Sequence, residues 1–132
     1  MASERPHPMT ERPMDAPLLT FDLPAVLAQL KREETWTHAS RTGITLLKGE
    51  RLRVMLVALH ASMTIPSHQA DGPITVQVIE GTLMFRAEAH TLTLHAGHLV
   101  TLQGGIPHAV EAVEESAFLL TLATATPHPV ES

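Results

Sequence analysis

The chain has 132 residues, the length of one domain, and a formal charge of -5 with its nine histidines neutral. Its cations, among them Lys31, Arg32, Arg41, Lys48, Arg51, Arg53 and Arg86, are scattered. No basic stripe is offered to a phosphate backbone, which argues against a nucleic-acid partner. There is no cysteine, which excludes disulfides, thiolate metal sites and a Cys nucleophile and suits a reducing compartment.

The N-terminal segment MASERPHPMTERPMDAPLL has no apolar core of the kind a signal peptide needs, and no apolar run reaches a bilayer span. A soluble, cytoplasmic protein that does not engage a membrane is the expectation. Residues 1–17 carry Pro6, Pro8, Pro13 and Pro17 and read as a flexible tail, as do residues 125–132.

Residues 22–34, DLPAVLAQLKREE, form the one good helix pattern. Asp22 can cap it, Pro24 is tolerated in its first turn, and Leu23, Val26, Leu27 and Leu30 share a face. From about residue 43 onward the pattern is strand. The candidates are 44–48, 51–60, 73–80, 82–87, 90–95, 98–103, 107–113 and 117–124. Turn signals at Lys48-Gly49, Asp71-Gly72, Gly81, Gly97 and Gly104-Gly105 separate them, so the chain reads as all-β. The runs VMLVAL and LLTLA are apolar on both faces and need cover on both. One helix hides only part of a sheet, so a homodimer is expected to bury the rest.

Four of the nine histidines read as ordinary surface residues: His7 and His128 in the tails, His90 and His95 at the ends of a short strand. Two are singled out by position. His68 follows Ile65-Pro66-Ser67, and His108 follows Ile106-Pro107. Each sits beside a proline that stiffens its approach, and each opens a strand.

These residues resemble the two motifs of the cupin superfamily, G-x5-H-x-H-x3–4-E-x6-G and G-x5-P-x-G-x2-H-x3-N. Counted back from Gly81, His68 takes the first His position, Ala70 the second, Ile74 the Glu position, and Ser62 the opening Gly. In the second motif Gly97, Gly105 and His108 match, while Gln103 and Ala112 replace the Pro and the Asn. The resemblance covers about residues 44–124. It implies a cupin-type double-stranded β-helix, a jelly-roll barrel, with one N-terminal α-helix. The single domain would span 18–124, with its barrel at about 43–124.

The resemblance also implies a metal held by three His and one Glu. Only His68 and His108 are present as ligands, whereas a stable Zn or Fe site usually has three or more. His60, His98 and Gln77 are conceivable substitutes. The expected interior is apolar, with His68, Ala70, Ile74, Val76, His108 and Ala112 lining a pocket. The first functional reading is a small-molecule-binding protein that takes an apolar or aromatic ligand, with the two histidines as polar anchors. The alternative is a metal-dependent enzyme (dioxygenase, isomerase or lyase) using Zn, Fe, Ni or Mn on a reduced ligand set. A metal-free acid/base catalyst built on the His pair and a purely structural role complete the alternatives.

Overall fold

The computed structural model describes residues 15–39 and 41–124. The tail 125–132 and all but the last three residues of 1–17 lie outside the described residues.

Helix α1 (Leu23–Leu30) starts where Asp22 accepts a hydrogen bond from the Ala25 N–H at 3.2 Å. It is shorter than the sequence pattern, and a second helix, α2 (Glu34–His38), follows a turn in which Glu33 is extended. Trp36 explains the break. At 100° per residue an unbroken helix would aim it roughly 150° away from the Leu27 and Leu30 stripe. The turn lets Trp36 bury instead against the same sheet as Leu27 and Leu30.

Nine strands follow: β1 (Arg41–Lys48), β2 (Leu52–Leu59), β3 (Thr64–His68), β4 (Ile74–Glu80), β5 (Thr82–Ala87), β6 (His90–His95), β7 (Leu99–Leu102), β8 (His108–Ala112) and β9 (Ser116–Ala123). β3 has no counterpart in the sequence pattern. It contains Pro66, which cannot donate to a ladder, and its register with β8 slips between Ile65 and His68. Both features are tolerated because β3 is an edge strand.

The expected closed barrel is not what forms. The strands make two separate sheets, one five-stranded in the order β1-β2-β9-β4-β7 and one four-stranded in the order β3-β8-β5-β6. Closure would need backbone ladders between β1 and β3 and between β7 and β6. Neither ladder exists among the described residues. On one side Pro66 and the slipped register spoil β3 as a template, and on the other β7 has only four residues. The sheets are held by side chains packed face to face.

Between the sheets lies the larger core, with Val57, Leu59, Ile74, Val76, Val78, Leu83, Phe85, Val110 and Phe118 all buried. The outer face of the five-stranded sheet carries a second core, in which Leu27, Leu30 and Trp36 cover Leu46, Leu56, Ala58 and Ala117. This double coverage explains why β2 and β9 are apolar on both faces. Each fully buried Leu contributes about 1.5–3 kcal/mol of burial free energy, which makes the two helices part of the fold's foundation.

Lys31 ends α1 and ties it down by pairing with Glu80 on β4 and with Glu115 at 2.8 Å. Burial pushes the Lys31 amine down, and hydrogen bonds and charge from Glu115 and Glu80 more than offset this, leaving it above its usual range.

Gly81 turns the chain from β4 into β5 at φ +87°, where a Cβ would lie 2.2 Å from the Ser116 Oγ. No other residue fits there. Ser62, at the position where the motif has its opening glycine, takes φ +74°. The backbone therefore keeps the conformation that a glycine suits, while the side chain no longer suits it.

Candidate functional site

A cavity of about 380 Å³ lies between the two sheets. Met55 and Val57 of β2, Ile74 and Val76 of β4, Val110 of β8 and Phe118 and Leu120 of β9 form its apolar walls. Arg41, Thr42 and Gly43 of β1 and Ile65 and His68 of β3 stand at its side. These are the two unpaired edges, so the gap left by the missing β1–β3 ladder is the cavity's opening. A shallower recess lined by Arg41, Ile65, Pro66, Ser67 and His68 spans the same gap.

The two histidines meet at this cavity. His68 and His108 are opposed in the β3–β8 register, and their ring centroids lie 4.4 Å apart with the planes at 54°. His108 is 5% exposed and stacks on Phe85 at 5.7 Å. His68 is exposed on the opening side. Each ring makes the same local bond. His68 Nδ1 is 3.0 Å from the Pro66 carbonyl, and His108 Nδ1 is 3.1 Å from the Ile106 carbonyl. A carbonyl only accepts, so each Nδ1 carries the proton in these bonds, and in its neutral form each ring has its lone pair on Nε2. The pair therefore presents two hydrogen-bond acceptors to an otherwise apolar space. The X-Pro or Pro-X-His turn before each ring supplies the carbonyl that fixes it.

Of the other residues singled out in the sequence, Ile74 and Val76 line the cavity. Ala70 does not: it lines a separate hollow with Gln69, Asp71 and Gly72, and its carbonyl accepts from the Gly105 N–H at 2.7 Å. Ala112 is fully buried in the packed core rather than at the cavity. None of the three conceivable substitute ligands reaches the pair. His60 stacks on Trp36 at 3.6 Å and its Nε2 meets the Trp36 carbonyl at 2.7 Å. His98 lies on the surface, where its Nδ1 accepts from the His95 N–H at 2.9 Å. Gln77 is exposed on the outer face of β4.

The metal set implied by the resemblance does not fit this arrangement. Ile74 fills the carboxylate position with a buried aliphatic side chain, and Ala70 lies elsewhere. Among the described residues no group of three or more His, Asp or Glu could hold a metal ion. Two imidazoles with no carboxylate leave a divalent charge uncompensated in an apolar wall.

Arg41 is the cavity residue that the sequence pattern did not single out. It stands opposite Leu59 in the β1–β2 register, on the face that looks into the sandwich. The signal for it is the alternation Arg41, Gly43, Thr45, which lies ahead of the apolar pattern that begins at Ile44.

No protein-family model matches the chain, and no curated protein matches its sequence. Solved structures do match. A cupin superfamily protein from Desulfitobacterium hafniense aligns over 64% of this chain and 77% of its own, with TM-score 0.63 and 11% identity. A cupin-2 domain containing protein from Shewanella frigidimarina aligns over 78% of this chain and 93% of its own, with TM-score 0.63 and 17% identity. A conserved protein of unknown function from Streptococcus pyogenes aligns over 66% and 76%, with TM-score 0.62 and 24% identity. At these identities the likeness is one of fold. The chain therefore shares the fold of cupin and RmlC-like cupin superfamily proteins.

Proposed function

We propose that this is a small-molecule-binding protein that takes an apolar or aromatic ligand between its two sheets, with His68 and His108 as the polar anchors. One observation carries the reading: an apolar cavity of about 380 Å³ whose opening lies beside the paired imidazoles. That volume is within the range of small-molecule pockets, and a few convergent polar groups on an apolar wall are what such pockets use for orientation. The two Nε2 positions can accept from an O–H or N–H donor where the ligand carries one, and they disfavour a further acceptor facing them.

The test is a thermal-shift screen of apolar and aromatic metabolites against the wild type and Met55→Trp, which fills the cavity from its wall. Compounds that raise the wild-type Tm and leave the variant unmoved support the reading. A screen in which no class of compound moves the wild type, or in which the variant responds equally, overturns it.

We propose a homodimer as the assembly and the cytoplasm as the compartment. Leu99, 59% exposed on the outer face of edge strand β7, supports the first, and a sequence without cysteine supports the second. Among the described residues no helix is long and apolar enough to cross a membrane. Light scattering giving twice the 14.3 kDa chain mass supports the dimer, and a mass near 14.3 kDa overturns it.

A further inference from the structure

We infer that the ligand is a monocarboxylic acid, held with its carboxylate at Arg41 in the cavity opening and its apolar body inside. This inference rests on the reading of the cavity as a ligand site and adds the chemical class.

The protein as a whole is acidic, at -5, yet the cavity lining contains one guanidinium, two imidazoles and no carboxylate. Among the described residues no carboxylate pairs with Arg41, whereas Lys31 and Arg86 each have acidic partners. Arg41 is exposed at the rim of the opening rather than buried in the wall, so its guanidinium stays hydrated and can meet a ligand's charged end there. Arg41 stands on the inward-looking face of β1, opposite Leu59, and lines both the cavity and the recess in front of it. Next to it Gly43, opposite Val57, brings no side chain to the opening.

Orientation follows from what the other polar groups can do. The bonds from His68 Nδ1 to the Pro66 carbonyl and from His108 Nδ1 to the Ile106 carbonyl leave two Nε2 lone pairs as acceptors. These repel an oxyanion. Arg41 donates and is always charged, with a planar fork that suits a carboxylate. The anionic end of a ligand is therefore drawn to β1 and turned away from the His pair.

Stoichiometry selects the anion. One guanidinium balances one negative charge. A phosphate monoester would leave about one further charge without a partner beside an apolar wall, where an uncompensated charge is costly.

The test is isothermal titration with hexanoate, octanoate, phenylacetate and 3-phenylpropionate, each against its own primary amide, on wild type, Arg41→Gln, Arg41→Lys and Met55→Trp. At least one acid is expected to bind the wild type about tenfold more tightly than its amide, the difference a charge-assisted hydrogen bond makes. Arg41→Gln should bring that ratio to about one by weakening the acid alone, Arg41→Lys should keep only part of it because the charge stays and the fork is lost, and Met55→Trp should abolish binding of acid and amide together. Acids and amides binding the wild type equally would overturn the carboxylate assignment and leave the ligand site standing. An acid preference that survives Arg41→Gln would likewise overturn it. If neither acids nor amides bind, the ligand-site reading falls and the inference falls with it.

Discussion

His68 and His108 are a directly opposed cross-strand pair whose rings approach to 4.4 Å, each with its Nδ1 turned back to the carbonyl two residues before it. The two turns build the same device twice on neighbouring strands. Their consequence is a pair of Nδ1 hydrogen bonds that need no other side chain, with His108 further held by its stack on Phe85.

The two rings differ in burial, so their removal has different costs. His108 is 5% exposed and stacks on Phe85. His108→Ala leaves a cavity and an unpaired Ile106 carbonyl, at about 2–3 kcal/mol. His68 is exposed, and His68→Ala stays within about 0.5–1 kcal/mol. Urea unfolding measures both. A larger loss for His68→Ala than for His108→Ala would contradict the placement of the two rings.

Ser62 holds φ +74° in a turn. Ser62→Gly relieves a left-handed conformation that costs an L-residue about 1–2 kcal/mol, less the extra freedom glycine gains when unfolded. A net gain of about 0.5–1 kcal/mol, or a Tm rise of about 2–6 °C, is the expected outcome. A fall in Tm would show that the hydroxyl carries more than the backbone strain.

Such details divide what the sequence discloses from what it hides. The alternation of apolar and polar residues and the glycines at 81 and 97 mark most strands and turns, because those signals are local. β3 escapes because Pro66 argues against a strand, and only an edge position makes it one. The helix break at Glu33 escapes because it answers to Trp36 finding the sheet. Closure is a property of edges distant in sequence, and whether β1 meets β3 cannot be read from either alone. The His pair is legible because each ring has its own proline turn. Arg41 is not, because its side depends on which strand β1 pairs with.

The Lys31 pairs to Glu80 and Glu115 fix α1 to the sheet. The folded-state value of Lys31 is raised, so its stabilisation is fully present below the unfolded lysine range and is lost as pH rises through the folded value. Both carboxylates are well exposed, which keeps the contribution to about 0.5–1 kcal/mol. Lys31→Met should therefore narrow its stability gap to wild type only above about pH 10.5. Urea midpoints between pH 8 and 11 check this, and a gap that closes at pH 8 would contradict it.

A resident metal is not expected, since two imidazoles fall short of the three or four ligands of a stable site. Elemental analysis of untagged protein should find less than about a tenth of an equivalent of Zn, Fe, Ni or Mn, and chelation should leave Tm unchanged. Stoichiometric metal, or a Tm that falls with chelator, would restore a metal-dependent reading.

The most direct measurement is the side-chain ¹⁵N spectrum of the histidines, recorded free and during titration with 3-phenylpropionate. Nδ1–H tautomers are expected for His68 and His108, with their Nε2 resonances moving on titration while those of His60 and His98 stay still. Protonated Nε2 atoms in the neutral free protein, or ligand-induced shifts confined to His60 and His98, would contradict it.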